Sequence, residues 1–271
     1  METITLAELT ALADLQVRVD RKYVLPRAGL APVLAGLSAG TRVLEIDGRR
    51  SFRYASVYFD TPDLTSFRLA VHRRRHRFKI RTRTHVDSAE SWLEVKTEGV
   101  RGGTVKDRLP YRSDHHACLE PGREFVDAAV PVSGLALAPV LVTRYHRTTL
   151  YLPDSASRVT VDVQLGWRTP GHDLGLPEVA VVETKSGSAA CQVDRLLWSH
   201  GHRPASISKY GTGLAALRPD LPATPWRRTL RRHFAAGRTV AADPAGWLSR
   251  PAPPTDRSDT CDEPRWSPYP P

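Results

Sequence analysis

Cationic and uncharged residues alternate over residues 77–83, which read Arg-Phe-Lys-Ile-Arg-Thr-Arg, and this alternation constrains the fold more than any other feature. Successive side chains of a β-strand point to opposite faces, so the cations share one face and Phe78, Ile80 and Thr82 share the other. A helix would scatter the same cations around its circumference. Because neighbouring cations repel, such a face needs either water or a bound polyanion. Alone, this segment fits a solvated edge strand and an anion-binding strand equally well.

The same two-faced pattern recurs in other predicted strands, each with an apolar face and a face of basic residues with a few carboxylates. These strands cover residues 18–24, 91–96, 103–112, 158–164 and 179–185. An ordinary sandwich places mixed polar residues outside, whereas a barrel with a polar lumen gives the same period with the charges inside. Periodicity alone leaves both arrangements open.

The overall charge agrees with an anion-binding protein. Lysine and arginine number 39 against 29 aspartates and glutamates, a formal net charge of +10. Such a balance concentrates nucleic acid, nucleotides or other polyanions near the surface. For RNA we would expect aromatic residues interleaved with the cations for base stacking, but Phe78 lies on the opposite face of its strand. Nucleic acid is therefore the weaker candidate partner.

Cysteine content and hydropathy favour a cytoplasmic protein. The cysteines, Cys118, Cys191 and Cys261, are few and widely spaced, which suits a reducing compartment and gives neither a disulfide framework nor a zinc motif. No secretory signal is predicted at the N-terminus. The longest uncharged stretch, residues 128–143, is interrupted by prolines and is too short for a membrane-spanning helix.

The chain divides into three predicted parts. Residues 1–15 carry leucines at helical spacing and predict an N-terminal helix. Residues 16–221 form the main domain, in which Thr61 is predicted to cap a helix that begins at Pro62. Residues 222–271 are rich in proline and arginine and poor in core residues, which predicts a disordered tail. The functional alternative for this tail is a tether to a polyanion, a membrane surface or a protein partner.

No motif for a protein nucleophile is present, so an enzyme with this sequence would act by positioning charge. The paired histidines, such as His72 and His76, have no carboxylate or cysteine nearby and favour a solvated basic segment over a metal site. Phosphoryl transfer depends mostly on positioning, cations and a divalent metal. Glu183, Glu94 and Asp162 are the carboxylates that could hold such a metal, or they could merely balance the strand cations.

Nine short motifs follow one another along the chain: Asp20-Arg21-Lys22-Tyr23, Tyr58-Phe59-Asp60-Thr61-Pro62, Lys79-Ile80-Arg81-Thr82-Arg83, Leu93-Glu94-Val95-Lys96, Lys106-Asp107-Arg108, Tyr145-His146-Arg147-Thr148, Arg158-Val159-Thr160-Val161-Asp162, Val182-Glu183-Thr184-Lys185 and Ser208-Lys209-Tyr210. In this order they resemble the VTC domain, the catalytic domain of vacuolar transporter chaperone polyphosphate polymerases in the CYTH or triphosphate tunnel superfamily. The resemblance covers about residues 15–217. It implies an α+β, mainly antiparallel fold: an eight-stranded tunnel-like β-barrel with helices packed outside.

The resemblance and the strand faces together predict the site. The predicted phosphate-binding residues are Lys22, Lys79, Arg81, Arg83, Lys96, Lys106, Arg147, Arg158, Lys185 and Lys209. Those expected to act on the transferred phosphate are Arg81, Arg83, Lys96, Arg147 and Arg158. Glu183 is the implied ligand of Mn²⁺ or Mg²⁺, with Asp20, Glu94 and Asp162 as further candidates. The chain departs from the family pattern at Ser206, where polymerases can carry a second lysine, and at Asp20, where relatives commonly have glutamate.

These features predict a polyphosphate polymerase-like phosphotransferase that uses ATP and polyphosphate or triphosphate. One alternative is a tunnel triphosphatase. Such enzymes resemble one another in a Glu-x-Glu-x-Lys strand, whereas this chain has a cation, Arg18, in place of the first carboxylate. The other alternative is a polyphosphate-binding module without catalytic activity. The sequence carries no signal for a particular oligomeric state.

Overall fold

A single β-sheet dominates the computed structural model, which describes residues 1–12, 19–98, 103–130, 134–235, 237–241 and 247–248. The described residues form twelve strands: β1 (Glu2–Ile4), β2 (Val19–Pro26), β3 (Arg42–Leu44), β4 (Phe52–Asp60), β5 (Phe78–His85), β6 (Glu90–Glu98), β7 (Thr104–Tyr111), β8 (Ala138–Leu152), β9 (Ser157–Thr169), β10 (His172–Leu176), β11 (Val179–Ser186) and β12 (Arg238–Ala241). They also form seven α-helices: α1 (Leu6–Leu12), α2 (Leu30–Ala35), α3 (Thr65–Val71), α4 (Arg123–Ala129), α5 (Gln192–Ser199), α6 (Lys209–Leu217) and α7 (Arg227–Thr229).

The main path through the sheet is antiparallel and runs β7-β6-β5-β4-β8-β9-β11-β2. Strands β10 and β12 extend the sheet beside the C-terminal half of β9, while β3 and β1 extend it beside β8. The predicted α+β, mainly antiparallel class is confirmed. Within the described residues no ladder joins β2 to β7, so the sheet is open and the predicted closure into a barrel is not confirmed.

The helices cover the apolar faces of the strands. Phe78 and Ile80 of β5 belong to a buried cluster with Leu93 and Val95 of β6, against which residues of α4 pack. Val159, Val161, Ala180 and Val182 of β9 and β11 belong to a second cluster with residues of α2 and α5. Because alternate side chains point to opposite faces, burying these residues leaves the cationic faces together on the other side of the sheet.

Helices α3 and α6 are fixed by a buried carboxylate. Asp60, at the end of β4, accepts hydrogen bonds from the backbone N–H groups of Ser66 and Phe67 at 2.8 and 2.9 Å, and from the hydroxyl of Tyr210 in α6. Helix α3 therefore begins at Thr65, and the predicted start at Pro62 is wrong because Asp60 satisfies the free N–H groups. The same carboxylate sets the position of α6, which begins with Lys209.

The first described residues and those that follow residue 221 depart from the sequence predictions. Residues 2–4 form a strand parallel to β3, so only Leu6–Leu12 is helical in the segment predicted as a helix; residues 13–15 lie outside the described part. The predicted disordered tail is wrong for its described residues, because α7 and β12 pack on the domain and Trp226 and Phe234 are buried. The domain thus extends past the boundary predicted at residue 221. Within the described part, no helix combines the length and the hydrophobicity needed to cross a membrane.

Trp226 should contribute strongly to stability. Its ring lies 5.7 Å from that of Phe67 and fills the space beside Gly211, where an added Cβ would lie 2.2 Å from the indole. We expect Trp226→Ala to lower the free energy of unfolding by about 3–5 kcal/mol, the range for truncating a buried aromatic residue. Urea denaturation measures this change, with the exposed Arg228→Ala as the matched control. Equal stability of the two variants would contradict the packed arrangement.

Candidate active site

The cationic strand faces converge on one cavity of about 340 Å³ on the concave side of the sheet. Its basic lining residues are Lys22, Arg77, Lys79, Arg81, Arg83, Lys96, Lys106, Arg147, Lys185 and Lys209. Its acidic lining residues are Asp20, Glu98 and Glu183. Strands from both ends of the sheet path contribute side chains, so the sheet curves around the cavity. The excess of cations is suited to a ligand with several negative charges.

Arg158 is the one predicted phosphate-binding residue that does not line this cavity. It lies on the same face of β9 as Asp162, but its Nη2 donates to the backbone carbonyl of Leu9 in α1 at 3.3 Å. The structure therefore places Arg158 against the N-terminal helix and brings the other predicted cations together.

Glu94 is buried beneath the cations of β5 and β7. Its Oε2 accepts a hydrogen bond from Nε of Arg81 at 2.7 Å, its Oε1 forms an ion pair with Lys106, and Nε of Arg83 lies 3.9 Å away. Burial alone would raise the pKa of Glu94, but these cations outweigh burial and hold the pKa far below its usual value. Tyr58 completes the group, because its hydroxyl accepts a hydrogen bond from Nη1 of Arg81 at 3.0 Å.

Asp162 plays the same part on β9. Arg147 binds its carboxylate with both Nε and Nη2, at 2.6 and 2.8 Å, and the ammonium of Lys209 also contacts it. Burial opposes ionisation of Asp162, yet Arg147 and Lys209 lower its pKa well below the ordinary value. Glu94 and Asp162, both predicted as further metal candidates, are thus engaged by protein cations and serve to orient them.

A row of lysines crosses three neighbouring strands. Lys79 of β5 is opposite Lys96 of β6, and Lys96 is opposite Lys106 of β7. Desolvation, reinforced by nearby cations, lowers the pKa of Lys79 to about 7 and that of Lys96 to about 6. Nζ of Lys79 lies 3.3 Å from Oγ of Ser208, the cap of α6. Within the described residues Lys106 pairs with Glu94, whereas Lys79 and Lys96 form no ion pair, so a bound polyanion would supply the negative charge that these two lysines lack.

Asp20 and Glu183 are the carboxylates that best fit a divalent metal. They lie on adjacent strands, and both approach the ammonium of Lys185, at 3.9 and 3.6 Å. Burial would raise the pKa of Glu183, but Lys22, Lys185 and more distant cations lower it to about 2, so the carboxylate is ionised. Among the described residues no group of three or more histidine, cysteine or carboxylate side chains could hold a metal by itself. Mg²⁺ is commonly held by one or two carboxylates plus substrate phosphates, and this pair fits that pattern.

The structure adds residues that sequence reasoning did not assign to the site. Arg77 lines the cavity and pairs with Glu98, Tyr58 orients Arg81, and Ser208 contacts Lys79. Arg77 was signalled by its place in the alternating segment, and Ser208 by its place before Lys209. Tyr58 belongs to one of the motifs quoted above, but its contact with Arg81 depends on the pairing of β4 with β5 and could not be predicted from the sequence.

A family model described as the VTC domain matches residues 17–218. The chain belongs to the VTC domain family. The matched range includes every residue that lines the cavity. Together, family membership and the basic cavity support an enzyme of the triphosphate-tunnel kind, a phosphotransferase or a triphosphatase. No curated protein matches the chain.

The solved structures that match this VTC domain share little sequence with it. The HpAC1 protein from Hippeastrum, described as an adenylyl cyclase candidate with a dominant triphosphatase activity, is 14% identical, with 76% of this chain and 98% of that chain covered and a TM-score of 0.47. The PH1819 protein from Pyrococcus horikoshii OT3 is 13% identical, with 74% and 98% covered and a TM-score of 0.46. A candidate adenylate cyclase from Vibrio parahaemolyticus is 10% identical, with 69% and 87% covered and a TM-score of 0.39. At this level of similarity they do not identify the reaction.

Arg81 and Arg83 of the VTC domain should differ in their effect on stability. Arg81→Ala removes the guanidinium whose Nε and Nη2 both contact Oε2 of buried Glu94, so we expect the free energy of unfolding to fall by about 3 kcal/mol. Arg83→Ala should cost about 1 kcal/mol or less, because Arg83 only approaches Glu94 at 3.9 Å. Urea denaturation of both variants tests this difference. A greater loss in Arg83→Ala would contradict the assignment of Arg81 as the main partner of Glu94.

Binding of tripolyphosphate should become weaker as the pH rises from about 7 to about 9. Lys79 and Lys96 have pKa values of about 7 and 6, so in this range each must take up a proton to pair with the ligand. Calorimetry in buffers of different ionisation enthalpy measures the uptake directly. The control is Lys96→Arg, whose side chain stays charged throughout. We expect it to show a smaller proton uptake than the wild type, and an equal uptake would exclude Lys96 as a source.

Proposed function

We propose that this chain transfers the terminal phosphate of ATP onto a polyphosphate chain within the basic cavity. The observation that carries the proposal is the cavity wall itself, where lysines and arginines of β5, β6, β7 and β8 face one space with few balancing carboxylates. A repeating anion matches such a wall better than a single phosphate group does, because successive strands present successive cations. Family membership supports the same conclusion.

The chemistry requires no protein nucleophile. A terminal oxygen of the polyphosphate chain attacks the γ-phosphorus of ATP; the new P–O–P bond forms as the bond between the γ-phosphorus and the bridging oxygen breaks, and ADP leaves. The attacking oxygen is already anionic, so no general base is needed. Charge on the transferred group must be stabilised, and Arg81 and Arg147 are suited to this because Glu94 and Asp162 hold their guanidinium groups in place.

A divalent ion, Mn²⁺ or Mg²⁺, fits the pair Asp20 and Glu183. When bound it would supply charge that neutralises phosphate oxygens. The chain's own lysines on the same two strands, Lys22 and Lys185, keep Glu183 ionised and would contact the remaining phosphate oxygens. At position 20 relatives commonly have glutamate; Asp20 would offer the ion the same carboxylate group on a side chain that is shorter by one methylene.

Hydrolysis of a triphosphate is the second candidate, and the same carboxylate pair favours it. Two carboxylates beside a lysine could hold a metal with an activated water, and water would then replace the polyphosphate end as the attacking group. Incubation of the purified protein with ATP and Mn²⁺, followed by separate assays for long-chain polyphosphate and free phosphate, discriminates the two. We expect polyphosphate as the main product. Free phosphate alone would indicate hydrolysis, and neither product would indicate a binding module.

The role of Glu183 can be tested by removing its charge. We expect Glu183→Gln to abolish metal-dependent turnover while leaving metal-free tripolyphosphate binding unchanged or tighter, because one negative charge leaves the cavity. Glu98→Gln is the matched control, since Glu98 also lines the cavity but pairs with Arg77. If Glu183→Gln keeps wild-type turnover with Mn²⁺, Glu183 is not a metal ligand. If both variants lose turnover equally, the effect reflects cavity charge rather than metal binding.

A further inference from the structure

A strongly basic surface borders the cavity, and the reaction proposed above does not use it. Between the cavity-lining residues Ala70 and Arg77, the chain reads Val-His-Arg-Arg-Arg-His. We call Arg73, Arg74 and Arg75 the rim arginines. All three are exposed, and within the described part of the chain none forms an ion pair with a carboxylate. Their charge is therefore directed to solvent at the edge of the cavity.

The position of the rim arginines is fixed by backbone hydrogen bonds. At the end of α3 the N–H of Arg73 donates to the carbonyl of Ala70 at 3.2 Å, and the N–H of Arg74 donates to that of Leu69 at 2.9 Å. The guanidinium of Arg77 donates to the carbonyl of Arg74 at 3.3 Å. These bonds tie the segment to both the helix end and the cavity wall, so the rim arginines are held beside the opening.

Arg73 occupies a backbone conformation that normally favours glycine. Its φ is 52°, in the left-handed region, and its hydrogen bonds are those of a helix end at which glycine is the usual residue. A residue with a Cβ atom is disfavoured there. The chain thus carries a cation at a position where glycine would give a more stable turn.

The volume of the cavity indicates which ligand would reach the rim arginines. At about 340 Å³ the cavity is at the lower end of the range of about 300–1,000 Å³ for small-molecule sites. A polyphosphate chain of many units cannot be contained in it, so most of its phosphates must lie outside. Cations next to the opening are the nearest groups that can pair with them.

We propose that the rim arginines bind the part of a phosphate chain that extends out of the cavity, as a second polyanion site continuous with the first. This proposal rests on the proposed function, since it takes the cavity to hold one end of the chain. The rim site adds affinity only for ligands long enough to reach it. Tripolyphosphate should therefore bind independently of the rim arginines, whereas a long polyphosphate should not.

The test compares tripolyphosphate with long linear polyphosphate, using calorimetry at several salt concentrations. The rim variant carries Arg73→Gly, Arg74→Ala and Arg75→Ala. We expect the affinity for tripolyphosphate to be unchanged. Binding of long polyphosphate should be about tenfold weaker, because the variant loses three exposed charge contacts that each contribute little. The slope of log affinity against log salt concentration for the long ligand should become shallower by about two. Equal binding of long polyphosphate by wild type and variant overturns the proposal.

The matched control removes the same charge from exposed arginines that do not line the cavity, with Arg227, Arg228 and Arg231 changed to alanine. We expect this variant to bind long polyphosphate like the wild type, and an equal loss in both variants overturns the proposal in favour of a general charge effect. Affinity for single-stranded RNA is measured with the same variant. If the rim variant loses as much affinity for RNA as for long polyphosphate, the rim arginines bind any polyanion and are not an extension of the cavity, which also overturns the proposal. If wild-type protein binds no tripolyphosphate, the proposed function fails; if it binds tripolyphosphate but long chains gain nothing, only the rim site fails.

The single change Arg73→Gly provides a second test, because it should raise the stability of the protein while weakening its binding of long polyphosphate. Because glycine suits the left-handed turn, the melting temperature of the ligand-free protein should rise by about 2 °C. Binding of long polyphosphate should weaken in the same variant. A purely structural role for Arg73 predicts higher stability with no change in binding of the long ligand, and that result would remove Arg73 from the proposed site.

Discussion

The basic cavity depends on the burial of two carboxylates beneath its cations. Without Glu94 and Asp162, the arginines of β5 and β8 would be buried beside lysines with no opposing charge, at a large cost in free energy. Each carboxylate lies beneath the cations that it contacts and does not line the cavity, so it neutralises their charge without occupying the space for a ligand. The bidentate contact of Arg147 also fixes its guanidinium plane. The arginines proposed to bind phosphate are therefore oriented in the absence of a ligand, which would reduce the entropy lost on binding.

The charges are distributed unevenly between the two ends of the sheet. On β5, β6 and β7 the row of lysines has Glu94 as its buried counter-charge. On β2 and β11 the signs alternate, with Glu183 opposite Lys22 and Lys185 opposite Asp20. A polyanion would be attracted mainly to the first wall, while the second wall can also offer oxygen ligands. This separation keeps Asp20 and Glu183, the carboxylates proposed to hold a metal, apart from the row of lysines that would repel one.

The strand faces could be predicted from the sequence because alternation follows directly from backbone geometry. The partners of each carboxylate could not, because Glu94 meets Arg81 only through the register of β5 with β6. The barrel closure expected from family resemblance is not present in the described residues. The packed part of the tail was not predicted for a different reason. Its overall composition is rich in proline and arginine, but two apolar residues, Trp226 and Phe234, are buried in the core and attach that segment to the domain.

The choice between arginine and lysine in the cavity follows from the same electrostatics. Arginine cannot lose its proton in a protein, so an arginine in this wall needs a carboxylate nearby, and Arg77, Arg81, Arg83 and Arg147 each lie within 4 Å of one. Lysine can become neutral when it is buried among cations. Lys79 and Lys96 form no ion pair among the described residues, and their pKa values fall to about 7 and 6. Loss of protons from Lys79 and Lys96 would relieve the repulsion within the wall, and binding of a phosphate chain would favour their return. A wall built from arginine alone would have to bury more carboxylates, and those would repel the ligand that the cavity is suited to bind.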